Sequence, residues 1–105
     1  MTIEHTRVVW LESRTDYSQD EVVEMSGLPQ ALLDSLVDCG ALPASGGRTT
    51  VRFASESIVL ARAARRLRDH FELDDQGLAV AVSLLRRVRA LEAELSRTRA
   101  TSTVD

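Results

Sequence analysis

The chain is poor in the residues that most often announce chemistry. Its 105 residues include one cysteine, two histidines, two prolines, four aromatics and no lysine. The single Cys39 excludes an intrachain disulfide, and with it the cysteine-stapled folds of small secreted domains. His5, Cys39 and His70 give no run with zinc-ligand spacing. Long apolar runs are missing too. The longest nearly apolar stretch, Leu78–Leu85, is under half of the roughly 20 residues a membrane helix needs. No apolar h-region follows His5 and Arg7, so no signal peptide is expected. What remains is 44% hydrophobic and 28% charged, the balance of a folded globular domain. A single domain over residues 1–105 is expected, soluble and cytoplasmic, with no membrane partner.

Charge is unevenly spread. Residues 1–47 carry Arg7 and Arg14 against eight acids, a net of −6. Residues 48–105 carry eleven arginines against eight acids, a net of +3. Every cation is arginine, a trait of composition and not of mechanism. An acidic half attracts basic partners and repels phosphate.

Helical signals dominate the rest. Val8–Glu12 is β-branched and aromatic enough for an edge strand. Ser18 with Glu21 is a capping box, and Val22, Val23 and Met25 supply an apolar stripe behind it. Gly27 closes that helix, and Pro29 opens a second in its first turn, where a missing N–H is harmless. Leu32, Leu33, Leu36 and Val37 then recur at helical spacing up to Gly40, a natural C-cap. Residues 18–40 therefore form a helix-turn-helix pattern. Gly46-Gly47, between Leu42–Ser45 and Thr49–Phe53, predicts a β-hairpin wing over 41–54. Ser55 is placed to cap a third helix over 55–70, with Leu60, Ala63, Ala64 and Leu67 inward and Arg62, Arg65 and Arg66 outward. Phe71–Asp74 breaks the chain, and Asp74 or Asp75 caps a long last helix over 75–99. Thr101–Asp105 is expected to fray.

That last helix changes character along its length. Leu78, Ala81, Val82, Leu84 and Leu85 make a broad face suited to domain packing. Beyond them only Leu84, Val88, Leu91 and Leu95 remain, spaced as a coiled-coil seam of two heptads. Such a seam is either dimer-forming or docked on its own domain.

Catalytic signals fail one by one. Asp74-Asp75 and Asp20-Glu21 are neighbours that do not face each other on a helix, and helix-start acids need no other explanation. His70 suits the carbonyls of a helix end. Cys39 reads as a half-buried apolar residue, with a reactive thiol as the alternative. Trp10 fits either a core strand or a binding hot spot. Gly46-Gly47 lacks the strand–loop–helix context of a phosphate loop. No catalytic, cofactor or metal residue is assigned, and no enzyme is expected.

The order helix-turn-helix, wing, helix and long C-terminal helix resembles the MerR family. This resemblance implies a mainly α fold: a MerR-like winged helix-turn-helix with a small β wing and a long C-terminal helix that forms a homodimer. Leu84, Val88, Leu91 and Leu95 are its expected dimerisation residues. In that family the second helix enters the major groove and carries arginine. Here that stretch carries Asp34 and Asp38, and acids oppose the phosphate contact on which DNA affinity rests. No direct specific DNA binding is expected, although Arg48 and Arg52 in the wing keep a DNA-binding MerR-type regulator as the alternative.

Arg66-Leu67-Arg68, Leu73-Asp74 and Gly77-Leu78-Ala79-Val80-Ala81-Val82-Ser83-Leu84-Leu85 more closely resemble CbpM, a family of bacterial chaperone modulators, over roughly residues 18–95. This resemblance implies a protein that binds the J-domain of a CbpA-type co-chaperone, blocks its work with DnaK and weakens its attachment to DNA. It would be cytoplasmic and reach the nucleoid only through that partner. J-domains present a basic helix, which an acidic surface complements. Asp16, Asp20, Glu24, Asp34 and Asp38 are the candidate partner-binding residues; the alternative is that the acids are simply a solvated face.

Overall fold

The computed structural model describes residues 16–47 and 49–103. The strand expected at Val8–Glu12, with Trp10, lies outside the described residues, as does Arg48. Six elements follow in order: β1 (Tyr17–Ser18), α1 (Gln19–Ser26), α2 (Gln30–Asp38), β2 (Arg52–Phe53), α3 (Ser55–Phe71) and α4 (Asp75–Thr103).

The start of α1 is built as its sequence predicts. Ser18 Oγ accepts from the Glu21 N–H at 3.2 Å, and Glu21 Oε1 accepts from the Ser18 N–H at 2.9 Å. Two of the helix's orphan donors are thereby satisfied. The helix ends on Gly27 at φ +75°, whose N–H reaches Val23 O. That left-handed conformation favours glycine. Pro29 is the N-cap of α2 and not part of its first turn as expected; its carbonyl accepts from the Leu32 and Leu33 N–H groups. At the far end Gly40, at φ +82°, completes a Schellman motif. Ala41 N–H bonds Leu36 O at 2.9 Å and Gly40 N–H bonds Val37 O at 3.1 Å, which satisfies the last carbonyls of α2.

The expected wing hairpin shrinks to one bridge. Ser45 and Arg52 exchange two backbone hydrogen bonds of 2.9 Å each across the intervening loop. The strand partner of β2 is β1, antiparallel, with Tyr17 opposite Phe53 and Ser18 opposite Arg52. Both aromatics are buried, and their burial sets a register that local turn chemistry does not. Helix α3 corrects another expectation: Ala54, not Ser55, is its N-cap, and no side chain caps it. It ends at Glu72, a non-glycine residue at φ +52° whose N–H reaches Arg68 O. Asp74 then caps α4, its Oδ1 accepting from the Gly77 N–H at 2.7 Å. The helix continues to Thr103, past the end expected near Arg99.

One core joins the parts. Val22 of α1, Leu33 and Leu36 of α2, Ile58 and Leu60 of α3, and Leu78 and Val82 of α4 are all essentially inaccessible. Each such aliphatic contributes about 1.5–3 kcal/mol by burial. Arginines from the second half also bind the first. Arg62, expected outward, is half-buried and its Nε donates to Met25 O at 3.2 Å. Arg86 donates to Gly40 O at 3.2 Å. Neither α1 nor α2 has a basic residue in its last turn, so α3 and α4 supply the cations that those helix ends favour. Among the described residues, no helix is long and apolar enough to cross a membrane.

Candidate functional site

Two surfaces stand out, one on each half. The first is the outer face of α1 and α2. Between Asp16 and Gly47 the chain has six acids and no Arg, Lys or His. Asp34 and Asp38 lie one turn apart on α2 and line a single open groove of roughly 670 Å³ with Gln19, Val37 and Val51. Asp34 is half-buried, and its Oδ1 accepts from Gln19 Nε2 at the start of α1. Asp38 is exposed. Gln19 and Val51 also border a second recess, lined by Asp20, Thr49, Thr50 and Arg52. The structure thus groups Asp34 with Asp38 and sets Asp20 beside them across a shared wall. Asp16 and Glu24 are exposed but line neither recess.

These acids differ in how well their helices tolerate them. Asp20 and Glu21 sit in the first turn of α1, where the positive end of the macrodipole welcomes them. Asp38 is the last residue of α2, at the negative end, four residues from a like charge. Each of those placements costs a few tenths of a kcal/mol, about 0.3–1 in the dipole case. Local helix stability gives no reason for acids at 34 and 38.

The second surface is apolar. Phe71, Val80, Leu84, Val88, Leu91 and Leu95 are between 49% and 67% exposed. Packing inside the domain therefore leaves all four seam residues of α4 open. A groove of roughly 620 Å³ runs beside the proximal part of this stripe, with Leu67 and Phe71 of α3 on one wall, Leu84 and Val88 of α4 on the other, and Arg66 and His70 on the rim. From Arg87 to Ala100 every residue of α4 is exposed.

Phe71 and Val80 escaped sequence reasoning. Phe71 fell in an expected break, and Val80 sits four residues before Leu84, the one signal that extends the stripe backwards. His70 does meet a helix-end carbonyl, with Nδ1 2.8 Å from Arg66 O. Cys39 is exposed, not half-buried as expected, because the Schellman turn lifts it off the core; its Sγ lies 3.5 Å from Leu36 O. Among the described residues no cluster of His, Cys, Asp and Glu could hold a metal ion.

The family described as "MerR HTH family regulatory protein" matches residues 17–100, from β1 almost to the end of α4. The chain belongs to the MerR helix-turn-helix family. No curated protein and no solved structure shows a significant match to it. As a MerR-family regulatory protein it keeps the helix-turn-helix, the reduced wing and the long last helix. Its second helix, which in helix-turn-helix proteins enters the major groove, presents carboxylates where phosphate contact needs cations.

The string Leu73-Asp74 and Gly77–Leu85 also gains a physical reading in this MerR-type frame. Asp74 caps α4 through the Gly77 N–H. A Cβ at Gly77 would lie 3.1 Å from Asp74 Oδ1, tighter than ordinary contact. Leu78 and Val82 are core. Much of that motif builds the α3–α4 corner.

Proposed function

We propose that this MerR-family protein is a cytoplasmic homodimeric regulator that binds the basic helix of a CbpA-type J-domain through its acidic helix-turn-helix. Binding there keeps the co-chaperone from DnaK and weakens its hold on DNA. One observation carries this reading: Asp34 and Asp38 share one groove on α2, at a like-charge spacing that their own helix disfavours, and among the described residues no cation lines that groove. Acids kept against local preference mark a site whose requirement comes from outside the helix. Val37 and Val51 in the same groove offer the apolar contact that electrostatic attraction needs as its complement. The resemblance to CbpM across Arg66–Leu85 supports the choice of partner.

A purified CbpA-type J-domain, titrated with the protein while DnaK ATPase stimulation is followed, tests this directly. Saturable loss of stimulation, weaker as salt rises, is the expected result. Recovery of a defined duplex operator with submicromolar affinity, without any effect on the ATPase, would establish a DNA-binding regulator instead.

A further inference from the structure

The wing breaks the charge pattern of the face it stands on. Among the described residues from Asp16 to Ala54, Arg52 is the one cation. It occupies the middle of the small sheet, with Ser18 of β1 opposite it on one side and Ser45 on the other. Ser45 engages both its N–H and its carbonyl, at 2.9 Å each. The loop that returns the chain is tight, because Gly46 lies at φ +85° and a Cβ there would collide with Thr50 O. Successive strand residues face opposite ways, so the burial of Phe53 turns the Arg52 side chain to the surface.

Neighbouring arginines serve the fold. Arg62 and Arg86 bond carbonyls at the ends of α1 and α2, and Arg65 pairs with Asp69. Among the described residues no carboxylate or carbonyl holds the Arg52 guanidinium. It borders the recess of roughly 410 Å³ that Asp20, Thr49 and Thr50 also line, yet Asp20 and Arg52 do not pair. That recess shares Gln19 and Val51 with the groove of Asp34 and Asp38. A cation beside an acidic groove weakens its pull on a basic helix, since exposed charges act over about 8 Å at physiological ionic strength. Neither the fold nor a purely basic ligand asks for Arg52.

We propose that Arg52 and its recess form a second, oppositely charged subsite, which takes a carboxylate carried next to the basic helix of the partner. The inference rests on the J-domain reading above and adds a chemical requirement: the partner presents cations and an acid side by side. Asp34 and Asp38 take the cations on α2, and the Arg52 guanidinium takes the acid across the wall of Gln19 and Val51. A guanidinium fork suits a carboxylate, because two parallel N–H groups can meet its two oxygens. The pinned backbone lowers the cost of ordering that contact. The pattern also selects. A uniformly basic helix, of the kind that binds nucleic acid, would set a cation against Arg52 and be disfavoured.

Calorimetric titration of a CbpA-type J-domain tests this through the sign of one substitution. Arg52→Glu makes the face more negative, so a ligand that were only a basic helix would bind it more tightly. With a carboxylate at the subsite, affinity should instead fall about ten-fold, and Arg52→Gln, which removes the charge alone, should lose about three-fold. Thermal unfolding by circular dichroism checks that both variants fold, as an exposed side chain outside the backbone bonding should allow. Each Asp and Glu of the J-domain is then changed to Lys in turn and titrated against Arg52→Glu. One of these reversals should restore most of the lost affinity, as paired charges do in a double-mutant cycle. An Arg52→Glu variant that binds the J-domain as tightly as the parent, or more tightly, would overturn the subsite and leave the J-domain reading standing. So would a loss of affinity that no reversal on the J-domain restores. A parent protein that shows no J-domain binding would overturn that reading and the subsite with it.

Discussion

The two halves of this molecule solve opposite problems with similar scaffolds. The helix-turn-helix half buries nearly all of its large apolar side chains and shows acids to water. The α3–α4 half leaves six large apolar side chains on its surface among arginines. Each surface is what the other is not, and the join reflects it: Arg62 and Arg86 reach back to the carbonyl ends of α1 and α2. A charged face steers and selects a partner, whereas an apolar face holds one. In the function proposed above, the first half recognises the partner and the second assembles the dimer.

The largest effect should come from the assembly half. Leu91→Glu with Leu95→Glu places four carboxylates in the seam of a dimer. Its dissociation constant should rise more than about a thousand-fold, on the order of 4 kcal/mol. Light scattering should then show a monomer whose helical ellipticity is retained and whose chains still bind J-domain. Loss of J-domain binding in that folded monomer would break the division of labour.

Next comes the recognition half. Asp34→Arg with Asp38→Arg should slow association with a J-domain by about 10- to 100-fold at low salt, since steering by charge acts on the on-rate. Inhibition of the ATPase should be relieved and dimerisation unchanged. Asp34 also accepts a hydrogen bond from Gln19, so this variant should lose about 1 kcal/mol of stability. Asp38→Arg alone, at an exposed helix end, should not. A variant with both substitutions that still inhibits fully would move the contact to Asp20, or to Asp16 and Glu24.

Ser18→Ala removes the acceptor for the Glu21 N–H and should destabilise the fold by about 1 kcal/mol in urea unfolding. The dimer constant should not change. The smallest effect concerns the join itself. Arg86→Ala deletes one exposed hydrogen bond to Gly40 O and should cost about 0.5 kcal/mol. Faster amide exchange confined to the end of α2 is the readout, and exchange spread over the whole chain would show that Arg86 does more.

Local signals were legible wherever a neighbour in sequence closes the interaction. The Ser18–Glu21 box, Gly27, Gly40 and the Asp74 cap each act over three to five residues, and all were readable from residue type and spacing. Signals whose partner is distant in the chain were not. Nothing near Thr49–Phe53 says that Phe53 pairs with Tyr17, because the aromatic that fixes the register lies some 36 positions away. Nothing near Arg62 says that it bends inward, because its acceptor is the carbonyl of Met25. The candidate site divides along the same line. Asp34 and Asp38 were legible as a pair at helical spacing, whereas the groove that Val37, Val51 and Gln19 build around them was not.

Sequence by itself determined the helices, the ends at Ser18, Gly27, Gly40 and Asp74, the charge of each half and the apolar seam of α4, because these depend on contacts within a helical turn or on counting. The tertiary structure alone decided which side of α4 the domain covers and which it leaves bare. Leu78 and Val82 meet the core formed by α2 and α3, and that choice turns Val80, Leu84 and Val88 outward on the opposite side. A helix of period 3.6 cannot bury both faces against one neighbour layer. Packing α3 beside α4 then carved the groove at Phe71, a surface that exists only when residues from two helices stand side by side.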